Sequence, residues 1–199
     1  RELQLAERDE ERRILAEVSS VVGAHASELK YGVENLAVLD LAFAKAKYSE
    51  ELRASEPVMH ERGKKNDASA SLPILRLIQA RHPLLDQDTV VPVDVDPREG
   101  TRAIVITGPN TGGKTVSLKT VGLLVLMAQS GLHIPAQSGS ELPFFKSVYA
   151  DIGDEQSIEQ SLSTFSGHIT NIIRILKQID NRSLVIFDEL GSGTDPQEG

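Results

Sequence analysis

The sequence predicts an α/β fold: a largely parallel sheet with helices on both faces, preceded by an α-helical segment. Three observations carry this reading. From Leu72 onward, short apolar runs alternate with amphipathic stretches, the pattern of strands joined by covering helices. One apolar run, Ala103–Thr107, leads into the glycine-rich loop GPNTGGKT at residues 108–115, which itself opens a helical pattern. A second apolar run ends in two adjacent carboxylates, in LVIFDE at residues 184–189.

Taken in order, residues 1–56 contain no proline and few glycines. Ile14, Val18, Val21, Val22, His25 and Leu29 recur at helical spacing, and Leu36, Leu39, Phe43 and Ala46 continue it after Tyr31-Gly32. Charges of both signs fill the remaining surface, as on a solvated helix. Two long helices follow, the first breaking near Gly23 or Gly32. On these residues alone they read equally as plain packing helices, and no sustained heptad run marks an independent coiled coil. Residues 57–71, PVMHERGKKNDASAS, are polar and weakly patterned and read as a linker. Its basic residues Arg62, Lys64 and Lys65 fit a solvated loop better than a nucleic-acid contact. Residues 72–199 then form the α/β domain. Ile74–Ala80, Val90–Val95 and Ala103–Thr107 are expected strands, and Lys114–Gln129 is an expected helix. A strand at Ser147–Ala150, a helix over about Ser166–Ile179 and the strand Leu184–Phe187 complete the order.

Composition narrows the class. The chain has 199 residues, 40% hydrophobic and 25% charged, which is a globular balance with room for one α/β domain and an appendage. A formal charge of −8 excludes a uniformly basic surface, although not a local nucleic-acid patch. No cysteine is present, which removes thiolate metal sites and cysteine nucleophiles and fits a reducing cytoplasm. The longest apolar run, Gly122–Ala128, is too short to span a bilayer, so no membrane partner is expected. The first residues lie inside a charged helical pattern and the last in a loop, so the sequence reads as part of something longer.

The loop carries the first chemistry. Gly108, Gly112 and Gly113 let the backbone curl so that successive N–H groups, with those of Pro109's neighbours Asn110 and Thr111, converge on phosphate oxygens. The positive end of the following helix adds to that attraction. Lys114 brings the charge that reaches the terminal phosphates, and Thr115 offers its hydroxyl to Mg2+. Asp188 and Glu189 end an uninterrupted apolar strand, so both emerge at the carboxyl edge of the sheet, where open α/β sheets place ligands. Asp188 is expected to hold the metal, directly or through water. Glu189 is expected to orient or deprotonate an attacking water. A paired Asp-Glu points to hydrolysis of the triphosphate. There is no paired histidine spacing for a zinc site and no Ser-His-Asp set.

Between the two motifs lie Asp151-Ile152-Gly153-Asp154-Glu155-Gln156-Ser157 and Ser161-Leu162-Ser163-Thr164-Phe165-Ser166-Gly167-His168. With these the chain resembles the ATPase module of the MutS family, a branch of the ABC-type ATPases. The resemblance covers essentially the whole chain. It implies that Ser163, Thr164 and Phe165 are the signature contacting the triphosphate held by the other subunit, hence a homodimer closed across ATP. Taken alone, Ser163 or Ser166 reads equally as an ordinary helix cap. The resemblance further places Leu190–Pro196 across the dimer interface, and His82, Pro83 and Val90 or Val91 near the adenine. Residues 1–56 then correspond to the helical lever and core.

GDEQSIEQSLSTFSGH and DELGSGTDPQEG resemble the second bacterial type of this family, associated with suppressing recombination and with stalled ribosomes. That implies DNA as a partner, with ribosome or RNA contact, and an endonuclease activity residing outside these residues. The switch histidine that the family places after the catalytic acids has no counterpart before Gly199, and His168 is not that residue. Two alternatives stay open: a segment that senses nucleotide without turnover, and an ABC-type ATPase of another family. The leucine-serine-glycine-glycine signature of transporters is absent.

Overall fold

The computed structural model describes residues 2–60, 75–98, 100–109, 112–152 and 161–189, with the backbone alone over 161–166. These form four α-helices and six β-strands, a mixed α/β architecture. The chain divides into two units, residues 1–47 and 48–199.

The first unit holds α1 (Glu2–Ala24) and most of α2 (Ala26–Glu51). The chain breaks at His25, two residues after Gly23, and α2 then runs uninterrupted through Gly32. An interior glycine costs a helix about 1 kcal/mol, too little to end one that long. His25 Nδ1 lies 2.9 Å from Glu28 Oε2 at the break. Arg13 pairs with Glu10 at 2.7 Å and Glu17 at 3.3 Å along α1, the neighbour spacing of a helix surface. Neither helix has a buried residue.

In the second unit, Leu52 is buried just beyond α2, and Arg53 turns the chain with φ 49°. Within the stretch expected as linker, Val58–His60 instead form β1, which pairs in parallel with β4 (Glu141–Pro143). Two three-residue strands are too short to show an alternating pattern, so sequence could not signal them. β2 (Leu77–Ala80) pairs antiparallel with β3 (Val93–Val95), with an irregularity between Leu77 and Ala80. Gln79 sits there at φ 48°, and its N–H donates to Asp94 Oδ1 at 2.7 Å, so a side chain takes the bond the ladder loses.

α3 (Lys114–Gln129) begins after Gly113, whose φ of 77° is a left-handed conformation that suits glycine. β5 (Ser147–Asp151) and β6 (Ser183–Phe187) form a parallel ladder in register from Ser147↔Ser183 to Asp151↔Phe187. α3 and α4 (Ser161–Gln178) both pack against β5. Gly122 of α3 faces β6 closely: a Cβ there would lie 2.9 Å from Ile186 Cδ1. Leu77, Leu124, Val125, Ile134 and Leu142 form the centre of the core.

Two expectations are corrected. Residues 103–107, expected as the strand before the loop, have no regular structure, and Ile104, Val105 and Ile106 are 53%, 82% and 45% exposed. β-branched residues favour a pleated surface only when a neighbouring strand supplies one, and this run joins no ladder. In place of one largely parallel sheet, the described strands form three two-stranded pairs, two of them parallel.

Candidate nucleotide site

The loop before α3 is shaped by its glycines. Gly108 has φ 143° and Gly113 φ 77°, both costly for any residue with a Cβ. The Gly112 N–H donates to the Pro109 carbonyl at 3.0 Å, closing a tight turn. Gly113's carbonyl accepts both the N–H and the hydroxyl of Ser117 at 2.9 Å, which starts the helix. The ammonium of Lys114 donates back to the Gly108 carbonyl, so the side chain crosses the loop from its end to its beginning. Asn110 and Thr111 lie outside the described residues.

The next side chain reaches across to β6. Thr115 Oγ1 donates to Asp188 Oδ2 at 2.6 Å, between two partly buried residues. Asp188 is held from behind as well, because its N–H donates to the Asp151 carbonyl at 2.9 Å and extends the β5–β6 pairing. Glu189 follows on the exposed side with φ 50°, a left-handed conformation unusual for a side chain of its size. Of the sequence-predicted residues, the structure thus brings together Gly108, Lys114, Thr115 and Asp188, with Glu189 adjacent in the chain.

The oxygen donors suit a hard cation. Magnesium is held by one or two protein oxygens and completed by water or phosphate, and Thr115 Oγ1 with Asp188 Oδ2 are such a pair. Among the described residues no group of three or more His, Cys, Asp or Glu could hold a metal alone. A cation at this place would complete its shell with oxygens from water or from a bound phosphate.

The other expected positions are less tightly drawn in. Ser163 lies on the backbone of α4, but its side chain, like those of Thr164 and Phe165, is outside the described residues, as are residues 190–196. Pro83 is buried beside His82. Burial first, and the Lys119 ammonium second, hold the His82 imidazole below its ordinary pKa. Its Nδ1 accepts the Leu84 N–H at 3.2 Å, which fits the neutral ring. Val91 is 80% exposed. Sequence reasoning missed one cluster: Asp151 at the end of β5, bonded to His168 and Asn171 of α4. Its available signal was a short strand ending in an acid, followed by polar residues three apart on one helix. No helix of the described residues is long and apolar enough to cross a membrane.

Comparison with known proteins agrees with the motifs. Residues 104–199 match MutS domain V. The chain is 60% identical over 198 residues to Endonuclease MutS2 of Geobacillus sp. (strain WCH70), an alignment covering 100% of this chain and 24% of that protein. It is 54% identical over 199 residues to Endonuclease MutS2 of Halalkalibacterium halodurans, again 100% of this chain and 24% of the relative. Over 196 residues it is 53% identical to the putative endonuclease MutS2 of Bacillus subtilis, covering 98% of this chain and 24% of the relative. The chain therefore spans about a quarter of the length of the curated relatives it matches, and it belongs to the MutS family, on its MutS2 side.

Proposed function

We propose that this chain is the ATP-binding and hydrolysing switch of a MutS-type DNA-processing protein, built on a P-loop fold. The observation that carries the reading is the hydrogen bond from Thr115 to Asp188, because it places a loop hydroxyl and a strand-end carboxylate at one point beside Lys114. Gly108, Pro109, Asn110, Thr111, Gly112 and Gly113 form the cradle for the phosphates. Lys114 exchanges its bond to the Gly108 carbonyl for phosphate oxygens. Thr115 Oγ1 and Asp188 Oδ2, which share a hydrogen bond here, would hold Mg2+, and the bound ion would neutralise charge on the triphosphate. Glu189 aims the water. In this reading residues 1–56 are the helical lever, 57–71 join it to the domain, and 72–199 are the ATPase domain.

The switch works between two copies. Each loop is completed by Ser163 of the partner subunit, so ATP favours a closed homodimer, and loss of the γ-phosphate removes the contacts that favour it. The name Endonuclease MutS2 borne by the relatives supports endonuclease activity in the whole protein, from regions outside these residues, while dimer closure is coupled to DNA binding, with RNA or ribosome contact as an extension. A cytoplasmic location belongs to the same reading.

The test is a split between binding and turnover in the complete polypeptide that carries these residues. Lys114→Ala should abolish ATP binding, whereas Glu189→Gln should bind ATP and release no phosphate at steady state. Tight ATP binding by the Lys114→Ala protein would remove the basis of the proposal.

A further inference from the structure

One carboxylate fastens α4 to the edge that carries Asp188. Asp151 is only 8% exposed, and both of its oxygens are engaged from the helix. His168 Nδ1 lies 3.0 Å from Oδ2, and Asn171 Nδ2 donates to Oδ1 at 2.7 Å. Asn171 is oriented in turn by Arg174, whose Nη2 donates to its Oδ1 at 2.7 Å. The spacing of three places His168, Asn171 and Arg174 along one side of α4.

The main chain of Asp151 reaches the other way. Its carbonyl accepts the Asp188 N–H at 2.9 Å, and Asp188 accepts the Thr115 hydroxyl at 2.6 Å. A continuous set of bonds therefore runs from Thr115 through Asp188 and Asp151 to α4. Any residue at 151 could supply the carbonyl, but only an acceptor with two oxygens satisfies both helix donors. Burying a carboxylate is costly unless such donors surround it, and mere packing of α4 on β5 would be served by an apolar side chain. Directional bonds to two side chains fix the helix in both position and rotation.

We propose that Asp151, His168 and Asn171 form a latch that makes α4 follow Asp188, passing the state of the loop to the first turns of that helix. This rests on the nucleotide-switch reading and deepens it by naming the residues that transmit it. The three are positioning residues: they act on Asp188 and α4 and touch no reacting atom. When Asp188 gives up the Thr115 hydroxyl for a cation, its backbone bond to Asp151 carries the adjustment, and the latched helix moves with it. An opened latch leaves the loop able to bind but leaves the helix unset for turnover.

The test uses the complete polypeptide, with His168→Ala, Asn171→Ala, and the exchange of Asp151→Asn with Asn171→Asp, which restores an amide–carboxylate pair. MgATP affinity, steady-state kcat and amide hydrogen exchange of α4 are measured on each, with the thermal midpoint as a folding control. The single variants should bind within about threefold of the parent, lose about tenfold in kcat, and exchange faster in α4. The exchanged pair should recover part of the kcat. Parental kcat and exchange in both single variants overturn the latch, as do equal losses of affinity and kcat that follow a fallen midpoint. Should the parent itself not bind MgATP, the nucleotide reading falls and the latch loses its trigger with it, whereas unchanged exchange in α4 overturns the latch even where the parent binds MgATP.

Discussion

Thr115 and Asp188 stand 73 residues apart in sequence and meet at 2.6 Å, hydroxyl to carboxylate, at the end of β6. The bond joins the start of α3 to the strand edge, so it has a stability consequence as well as a chemical one. Removing the donor leaves a partly buried carboxylate oxygen unsatisfied. Thr115→Val should therefore destabilise the fold by about 1–2 kcal/mol, whereas Thr115→Ser should keep most of it. Urea unfolding of the three proteins measures the difference.

Glu189 combines a candidate chemical role with an unfavourable backbone. Its φ of 50° costs a residue with a Cβ about 1–2 kcal/mol relative to glycine. Glu189→Gly is thus expected to hold or raise stability while steady-state phosphate release falls by a factor of about a hundred or more. Calorimetry and a phosphate-release assay on the same preparation check both halves. Lower stability with unchanged turnover would reverse the assignment.

The packing of α3 gives two further expectations. Leu124 is fully buried among Leu77, Val125, Ile134 and Leu142, so Leu124→Ala should cost about 2–5 kcal/mol. Gly122 lies close to β6: a Cβ there would stand 2.9 Å from Ile186 Cδ1, so the end of that side chain must turn aside for any larger residue. Gly122→Val should cost about 1–3 kcal/mol by overpacking. Denaturant midpoints at constant m-value read both.

These sites differ in how far the sequence announced them. The bounds of α3 were legible because its signals are local: a glycine turn before Lys114, then an apolar helical pattern to Gln129. β5 and β6 were legible for the same reason, as apolar runs whose edges fall near Asp151 and Asp188. Residues 103–107 have the same local character and yet form no strand, because a strand exists only in a ladder and the partner is not written in the run itself. β1 and β4 failed in the opposite direction, being three residues each and held by a long-range pairing. At the site, Thr115 and Asp188 came from motifs with known spacing. The Asp151–His168–Asn171 cluster came from none, since it depends on how α4 lies against β5.

His82 makes the acid side of stability testable. Burial and then the Lys119 ammonium lower its pKa from the ordinary value, so the unfolded chain binds a proton more readily than the folded one. That contribution to stability is complete above the unfolded pKa, about 6.5, and is lost as pH falls through the lower folded value. Replacing the ring by His82→Asn should flatten the decline in stability below about pH 6.5 relative to the parent. Unfolding midpoints across pH 4.5–8 measure it, and an unchanged slope would assign the decline to other groups.

The central claim is that the loop and Asp188 jointly hold a metal–triphosphate, and equilibrium titration of ATP with and without Mg2+ tests it most directly. The parent should bind ATP about tenfold or more tightly with Mg2+ than in chelator, Asp188→Asn should lose that gain, and Lys114→Ala should bind in neither condition. Equal ATP affinity in all three proteins, indifferent to Mg2+, would contradict the account.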